Sequence, residues 1–244
     1  MNQRYSKTGL YRGLLLLIVP FIVYSIGLIP PVLSLKFFIN LLNLDNVFHL
    51  VIFSFVLFFE LLFFFVSEVL TTAFFINLFK LKYEEGVYEL TLRDKTFFKF
   101  VLFLAMYLPL VKLLRLFGLE PLATKYAKLL GAKIGKNVIL AGRINDPCLT
   151  EIGDNSVIGG HSIISAHTGE DKLILKRVKI GKNCIVGGWA HIMPGVIMED
   201  NSVLGARSLA TKNKVLKSYK VYGGVPAREI KARRKFHPRR ENVI

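Results

Sequence analysis

The chain has 244 residues; 52% are hydrophobic and 20 are phenylalanine, yet the formal net charge is +16. One soluble domain rarely carries both loads, so the apolar and basic residues are expected in different parts of the chain. They are: residues 13–79 are dominated by Leu, Phe, Ile and Val, and the second half holds most of the Lys and Arg. The two cysteines, Cys148 and Cys184, exclude a disulfide framework and a cysteine metal site, and both read as small apolar packing residues.

Residues 13–35 carry no charge. Spanning a bilayer takes roughly 20 apolar residues, and a cleaved signal peptide has an apolar region of only about 7–15. The run continues through Pro30 and Pro31, so it predicts a retained membrane helix with a bend at the prolines. Residues 47–79 form a second apolar run whose only ionisable groups are His49, Glu60 and Glu68. Both carboxylates are expected to face a helix bundle or lie near an interface. Arg4, Lys7 and Arg12 precede the first run, and Lys80 and Lys82 follow the second, while the loop between holds only Lys36 and Asp45. The positive-inside bias then puts both ends of this hairpin, and everything after residue 80, on the cytoplasmic side. In residues 97–117, Lys99 and Lys112 bound an uncharged run of 12 residues interrupted by Pro109, with Arg115 beyond. That run is too short to span, and it predicts a helix lying in the membrane interface.

The second half repeats every six residues. An aliphatic side chain recurs at Ile134 and Leu140, at Ile152, Ile158 and Ile164, and at Ile180, Val186, Ile192, Met198 and Leu204. Four residues after each stands a small or β-branched residue, as at Ser156, Ser162, Cys184, Ala190 and Ser202. A buried helix would repeat near 3.6 residues, which does not fit. Three short strands per coil, each sending one bulky side chain inward, do fit. The predicted fold is mainly β: a left-handed parallel β-helix preceded by a transmembrane helical hairpin and an interfacial helix. The phase breaks once, between Ile152 and Ile180, where 28 residues stand in place of 18 and a loop of about 10 extra residues protrudes near 167–179. The expected divisions are 1–80 (hairpin), 81–129 (connector), 130–230 (β-helix) and 231–244 (basic tail).

The repeat, the protruding loop, Ile192-Met193-Pro194-Gly195-Val196, Thr211-Lys212 and the closing Gly-Val-Pro-Ala-Arg at 224–228 resemble the hexapeptide acyltransferase superfamily. Its members include galactoside, maltose, serine and streptogramin acetyltransferases. Glu85-Gly86-Val87-Tyr88, the 128–135 segment and Ala166-His167-Thr168-Gly169-Glu170-Asp171 further resemble the membrane-bound C-terminal domains of ε-poly-lysine synthetase. The resemblance implies a homotrimer with sites between neighbouring prisms and a donor thioester, usually acetyl-CoA, lying along the coils. It places donor contacts at Gly187, Gly205, Ala206, Arg207, Thr211, Lys212, Pro226 and Arg228.

Acyl transfer from a thioester needs a base for the acceptor's proton, and histidine suits that task at neutral pH. The prism offers His161, His167 and His191. The streptogramin and serine acetyltransferases carry their catalytic histidine at the start of such a loop, which places the base at His167, with Glu170 or Asp171 to orient its ring. The galactoside-type position is occupied by Trp189. His161, Trp189 and Arg207 fall in one column that could line a substrate groove or form a surface ladder, and His191 reads as a flank contact. A γ-type carbonic anhydrase needs three histidines on zinc, but Gly188 and Met193 stand at two of those positions, so no metal is expected. Lys212, Lys214, Arg228 and the tail suit phosphate or an anionic leaflet, and no nucleic-acid reader accompanies them. The sequence thus points to a multi-pass membrane acyltransferase acting on a hydroxyl or amine of a membrane-associated acceptor. The alternatives are an amide-forming domain fed by a carrier thioester and an inactive trimeric scaffold.

Overall fold

The computed structural model describes residues 7–232, so Arg4 and tail residues 233–244 lie outside the described residues. The chain divides into two compact units. One runs to residue 84 and resumes at 88–130; the other takes residues 85–87 and everything from 131.

The first unit is helical: α1 (Lys7–Leu41), α2 (Val47–Leu78), α3 (Lys95–Leu116) and α4 (Glu120–Leu129). Asn46 caps α2 by accepting from Phe48 N at 2.8 Å, and Asp94 caps α3 by accepting from Thr96 N and Phe97 N. Each cap satisfies backbone donors that the first helical turn leaves free. α1 runs unbroken through Pro20, Pro30 and Pro31. Leu17 and Phe21 on α1 and Phe55 and Phe59 on α2 are each more than 60% exposed, a face that water does not favour. Polar groups turn instead toward the seam: Ser34 Oγ donates to Glu60 Oε1 at 2.6 Å, and Ser67 Oγ donates to Gly27 O at 2.7 Å. Glu68 is buried where Gly27 lacks a side chain.

α3 covers the stretch expected to be helical, 97–117, to within two residues. It is one continuous helix of 22 residues through Pro109, about 33 Å long at 1.5 Å per residue. α1, α2 and α3 are all long and apolar enough to cross a membrane, by length and composition.

The second unit is a parallel β-helix with three faces. The first stacks Lys133–Ile134, Thr150–Ile152, Val178–Ile180, Ile197–Met198 and Val215–Leu216. The second stacks Ile139–Leu140, Val157–Ile158, Ile185–Val186, Val203–Leu204 and Lys220–Gly223, closed by the antiparallel Arg228–Ala232. The third stacks Arg143–Ile144, Ile163–Ile164, His191–Ile192 and Leu209–Ala210. Ile180 pairs with Met198, and Val186 with Leu204, one coil of 18 residues apart. The inward residues Ile158, Ile164, Val186, Ile192 and Leu204 are all buried, as is Cys184; Cys148 is half-buried. Ser156 and Ser162 are fully buried and donate to Gly181 O and Gly159 O, so the small-residue rows carry no unpaired hydroxyl there.

The repeat breaks twice. Leu216 and Tyr222 continue the inward row to the end of the prism. The long break between Ile152 and Ile180 is present, with Ile152 paired to Ile180. A second lies in the first coil, where Ile144 rather than residue 146 is inward, paired with Ile164, and a 3-10 turn at Pro147–Leu149 follows.

Coils stack so closely that an added Cβ at Gly159 would meet Gly188 N at 2.6 Å. Backbone cannot retreat there as a flexible side chain can. Gly159→Ala is expected to destabilise the prism by about 1–3 kcal/mol, read from a denaturant midpoint shift with an unchanged slope.

Candidate active site

The protruding loop begins where the third face ends. Its strands His167–Gly169 and Leu173–Leu175 pair antiparallel, His167 opposite Leu175 and Gly169 opposite Leu173. That register puts residues 170–172 at the hairpin tip, about 10 Å along the strand from His167.

His167 is bonded elsewhere. Its Nδ1 lies 2.8 Å from both carboxylate oxygens of Asp146, which is fully buried. Ala166 N donates to Asp146 Oδ2 at 2.7 Å, and Ser165 Oγ donates to His167 O at 3.1 Å. A buried carboxylate is costly unless charge-assisted hydrogen bonds surround it, and Asp146 has two on this side. Accepting the Nδ1–H fixes the tautomer that leaves Nε2 as the basic nitrogen, a proton placement inferred from this bond. About a quarter of the His167 side chain stays exposed, so the pair is held but reachable.

Asp146 is the residue that the sequence reading missed. Stepping six residues at a time from Ile134 and Leu140 to Ile152 passes through position 146, where an aspartate stands in an aliphatic row. That gap was the available signal. Thr150 Oγ1 and Leu149 N both donate to Asp146 O, so the 3-10 turn shapes the residue's position. Glu170 and Asp171, expected to orient His167, are instead tip residues: Glu170 pairs with Lys212, and Asp171 is exposed. A strand pairing carries them away from the ring they were to hold.

His161 and Trp189 stack, with ring centroids 4.4 Å apart and planes 20° apart. Both sit at the corner between the second and third faces, with Arg207 one coil on, at φ of 58°, 61° and 54°. At the neighbouring corner the same left-handed conformation falls to Asn137, Asn155, Asn183 and Asn201. Asparagine tolerates that conformation better than tryptophan or arginine, so Trp189 and Arg207 hold strain that the asparagine corner does not. Trp189 is 62% exposed, presenting a flat aromatic face to solvent.

His191 points outward from the third face, flanked in register by Ile163 and Leu209. Its pKa is pushed down, chiefly by burial and then by the charges of Arg143 and His167. The residues expected to contact a donor do not converge on one point. Gly187, Gly205, Ala206 and Arg207 lie on the corner before the third face, and Thr211 and Lys212 on the corner after it. Pro226 and Arg228 lie at the end of the prism. Among the described residues no group of three or more His, Cys, Asp or Glu is placed to hold a metal ion.

A family model described as bacterial transferase hexapeptide (six repeats) matches residues 177–211. The match begins where the loop returns to the hexapeptide prism and ends at the corner that follows the third face. Among solved structures, the chain is similar to a hexapeptide-repeat-containing acetyltransferase from Vibrio cholerae: 17% identity, 53% of this chain and 92% of that one, TM-score 0.41. A maltose O-acetyltransferase from Clostridium difficile 630 is 20% identical over 62% of this chain and 94% of that one, TM-score 0.40. Galactoside acetyltransferase in complex with coenzyme A is 23% identical over 45% of this chain and 70% of that one, TM-score 0.36. No curated protein sequence matches the chain.

Proposed function

We propose that the chain is a membrane-anchored acyltransferase in which His167 takes the acceptor's proton and an acyl thioester such as acetyl-CoA is the donor. The observation that carries this reading is the His167–Asp146 pair, an imidazole about a quarter exposed and held by a fully buried carboxylate at 2.8 Å. As the acceptor's hydroxyl or amine attacks the thioester carbonyl, its proton moves to Nε2 and Asp146 stabilises the resulting imidazolium. The carbon–sulfur bond then breaks, and the leaving sulfur takes the proton back. An amine acceptor, as in the likeness to ε-poly-lysine synthetase domains, is served by the same base. Arg207, Lys212 and Arg228 supply positive charge suited to the phosphates of a CoA donor.

The coil is proposed to be left-handed and the assembly a homotrimer. An outward column on the second face, Ile139, Val157, Ile185, Val203 and Val221, is aliphatic along the whole prism, and Ile139 is 62% exposed. A second copy of the prism would remove that stripe from water. Ile185→Glu is expected to convert a trimeric mass to a monomeric one in light scattering of the detergent-purified protein; an unchanged trimer would place the interface elsewhere.

α1 and α2 are proposed to cross the membrane as a hairpin and α3 to lie in the interface, which leaves the prism on the cytoplasmic side where acyl-CoA is made. The exposed apolar faces of both helices and the basic residues Arg12, Lys80 and Lys82 at their shared end support this topology. The direct test supplies radiolabelled acetyl-CoA to membranes containing the protein. Label should move to a membrane-fraction product with the wild type and not with His167→Ala; equal labelling by both would sink the assignment.

A further inference from the structure

The connector motif Glu85-Gly86-Val87-Tyr88 lies outside the prism in sequence, yet Glu85, Gly86 and Val87 belong to the prism's unit. Strand Leu173–Leu175 lies between strands Gly86–Tyr88 and His167–Gly169 in a three-stranded sheet. We propose that Glu85 is a positioning residue for His167 and that Gly86–Tyr88 is the strap that orders its loop. The proposal rests on the reading of His167 as the base.

A two-stranded ribbon of three residues a side is marginal in water, and a third strand is what such a ribbon needs for stability of its own. Here the third strand comes from the connector. Carboxylates pin both ends of the insertion. Asp146 accepts from Ala166 N at 2.7 Å where the chain leaves the third face. Glu85 Oε1 accepts from Arg177 N at 2.6 Å where it returns to the first. Arg177 then reaches back into the prism, its Nη1 donating to Glu151 Oε1 at 3.1 Å while its Nε lies 3.8 Å from Glu85 Oε2. Glu151 is held in its charged form, first by its hydrogen bond from Lys133 at 2.9 Å, so the anchor persists through the neutral range. Leu173 and Leu175 are buried, which fixes one side of the central strand. His167 opens the strand directly beside it, so freedom at the Arg177 end is transmitted through Leu175 to the imidazole.

The test is hydrogen exchange by mass spectrometry on the full chain in detergent micelles, paired with acetyl-transfer kinetics. In Glu85→Ala, amides of residues 166–177 are expected to exchange about 10-fold faster, with those of Ile185–Val186 and His191–Ile192 unchanged. The kcat should fall about 10-fold while the donor KM holds, since the base is displaced and the donor's corners are not. Glu85→Gln keeps an acceptor for Arg177 N and should recover most of both losses, and it serves as the readable variant if the alanine form does not fold. Unchanged loop exchange in both variants, or a kcat loss without loosening of the loop, would overturn the proposal. Exchange is read without turnover, so an active His167→Ala enzyme would refute the base assignment and leave the strap to be judged by exchange alone.

Discussion

His167→Ala is expected to lower kcat by on the order of 10²–10⁴-fold, the range that a positioned general base contributes. The donor KM and the affinity for free CoA should stay within about two-fold, because the residues proposed for the donor lie on the prism corners rather than on the ring. Stability should also fall, by about 1–3 kcal/mol, because the fully buried Asp146 carboxylate loses its bond from the imidazole and keeps the one from Ala166 N. The result to watch is the split: a loss in kcat alone marks a group acting in the transition state, whereas a matched loss in binding would mark His167 as part of the donor site.

Asp146→Asn is expected to cost a comparable 10²–10⁴-fold in kcat while the fold persists. Asparagine has the same shape, but only one of its two terminal atoms accepts. If Oδ1 keeps the bond from Ala166 N, then Nδ2 faces His167 Nδ1 and donates to it. The ring must then carry its proton on Nε2, the nitrogen required to be the base. Asp146→Ala should differ in kind. It strips a buried site of the acceptor for Ala166 N, which adds a stability loss of about 1–3 kcal/mol to the loss of rate. A comparison of the two variants by thermal melting and steady-state kinetics separates orientation of the base from support of the loop. If Asp146→Asn retained full rate, the carboxylate would be structural only.

The prism was legible because its evidence is spacing. A side chain that must point inward every six residues leaves the same mark at Ile158, Val186 and Leu204 whatever its surroundings, and those residues are indeed buried. The loop was legible for the same reason, as a failure of phase between Ile152 and Ile180. Asp146 was passed over because the row of aliphatic residues was read for its matches, and the one polar residue in step was skipped. Its bond to His167 spans 21 residues and depends on the 3-10 turn at Pro147–Leu149, which no periodic template contains. Glu170 and Asp171 were chosen for nearness in sequence, and the hairpin register carries them to the tip. The link from Glu85 to Arg177 is further out of reach, because it joins residues 92 positions apart on the far side of two helices in the chain order. For α3 the apolar stretch at 97–117 marked the helix, which runs on past Pro109.

Donor binding is tested most directly by calorimetric titration of the detergent-purified protein with acetyl-CoA, with free CoA as the comparison. Saturable binding near one site per chain, retained in His167→Ala, is the result expected. Absence of binding by either ligand would contradict an acyl-CoA-dependent transferase.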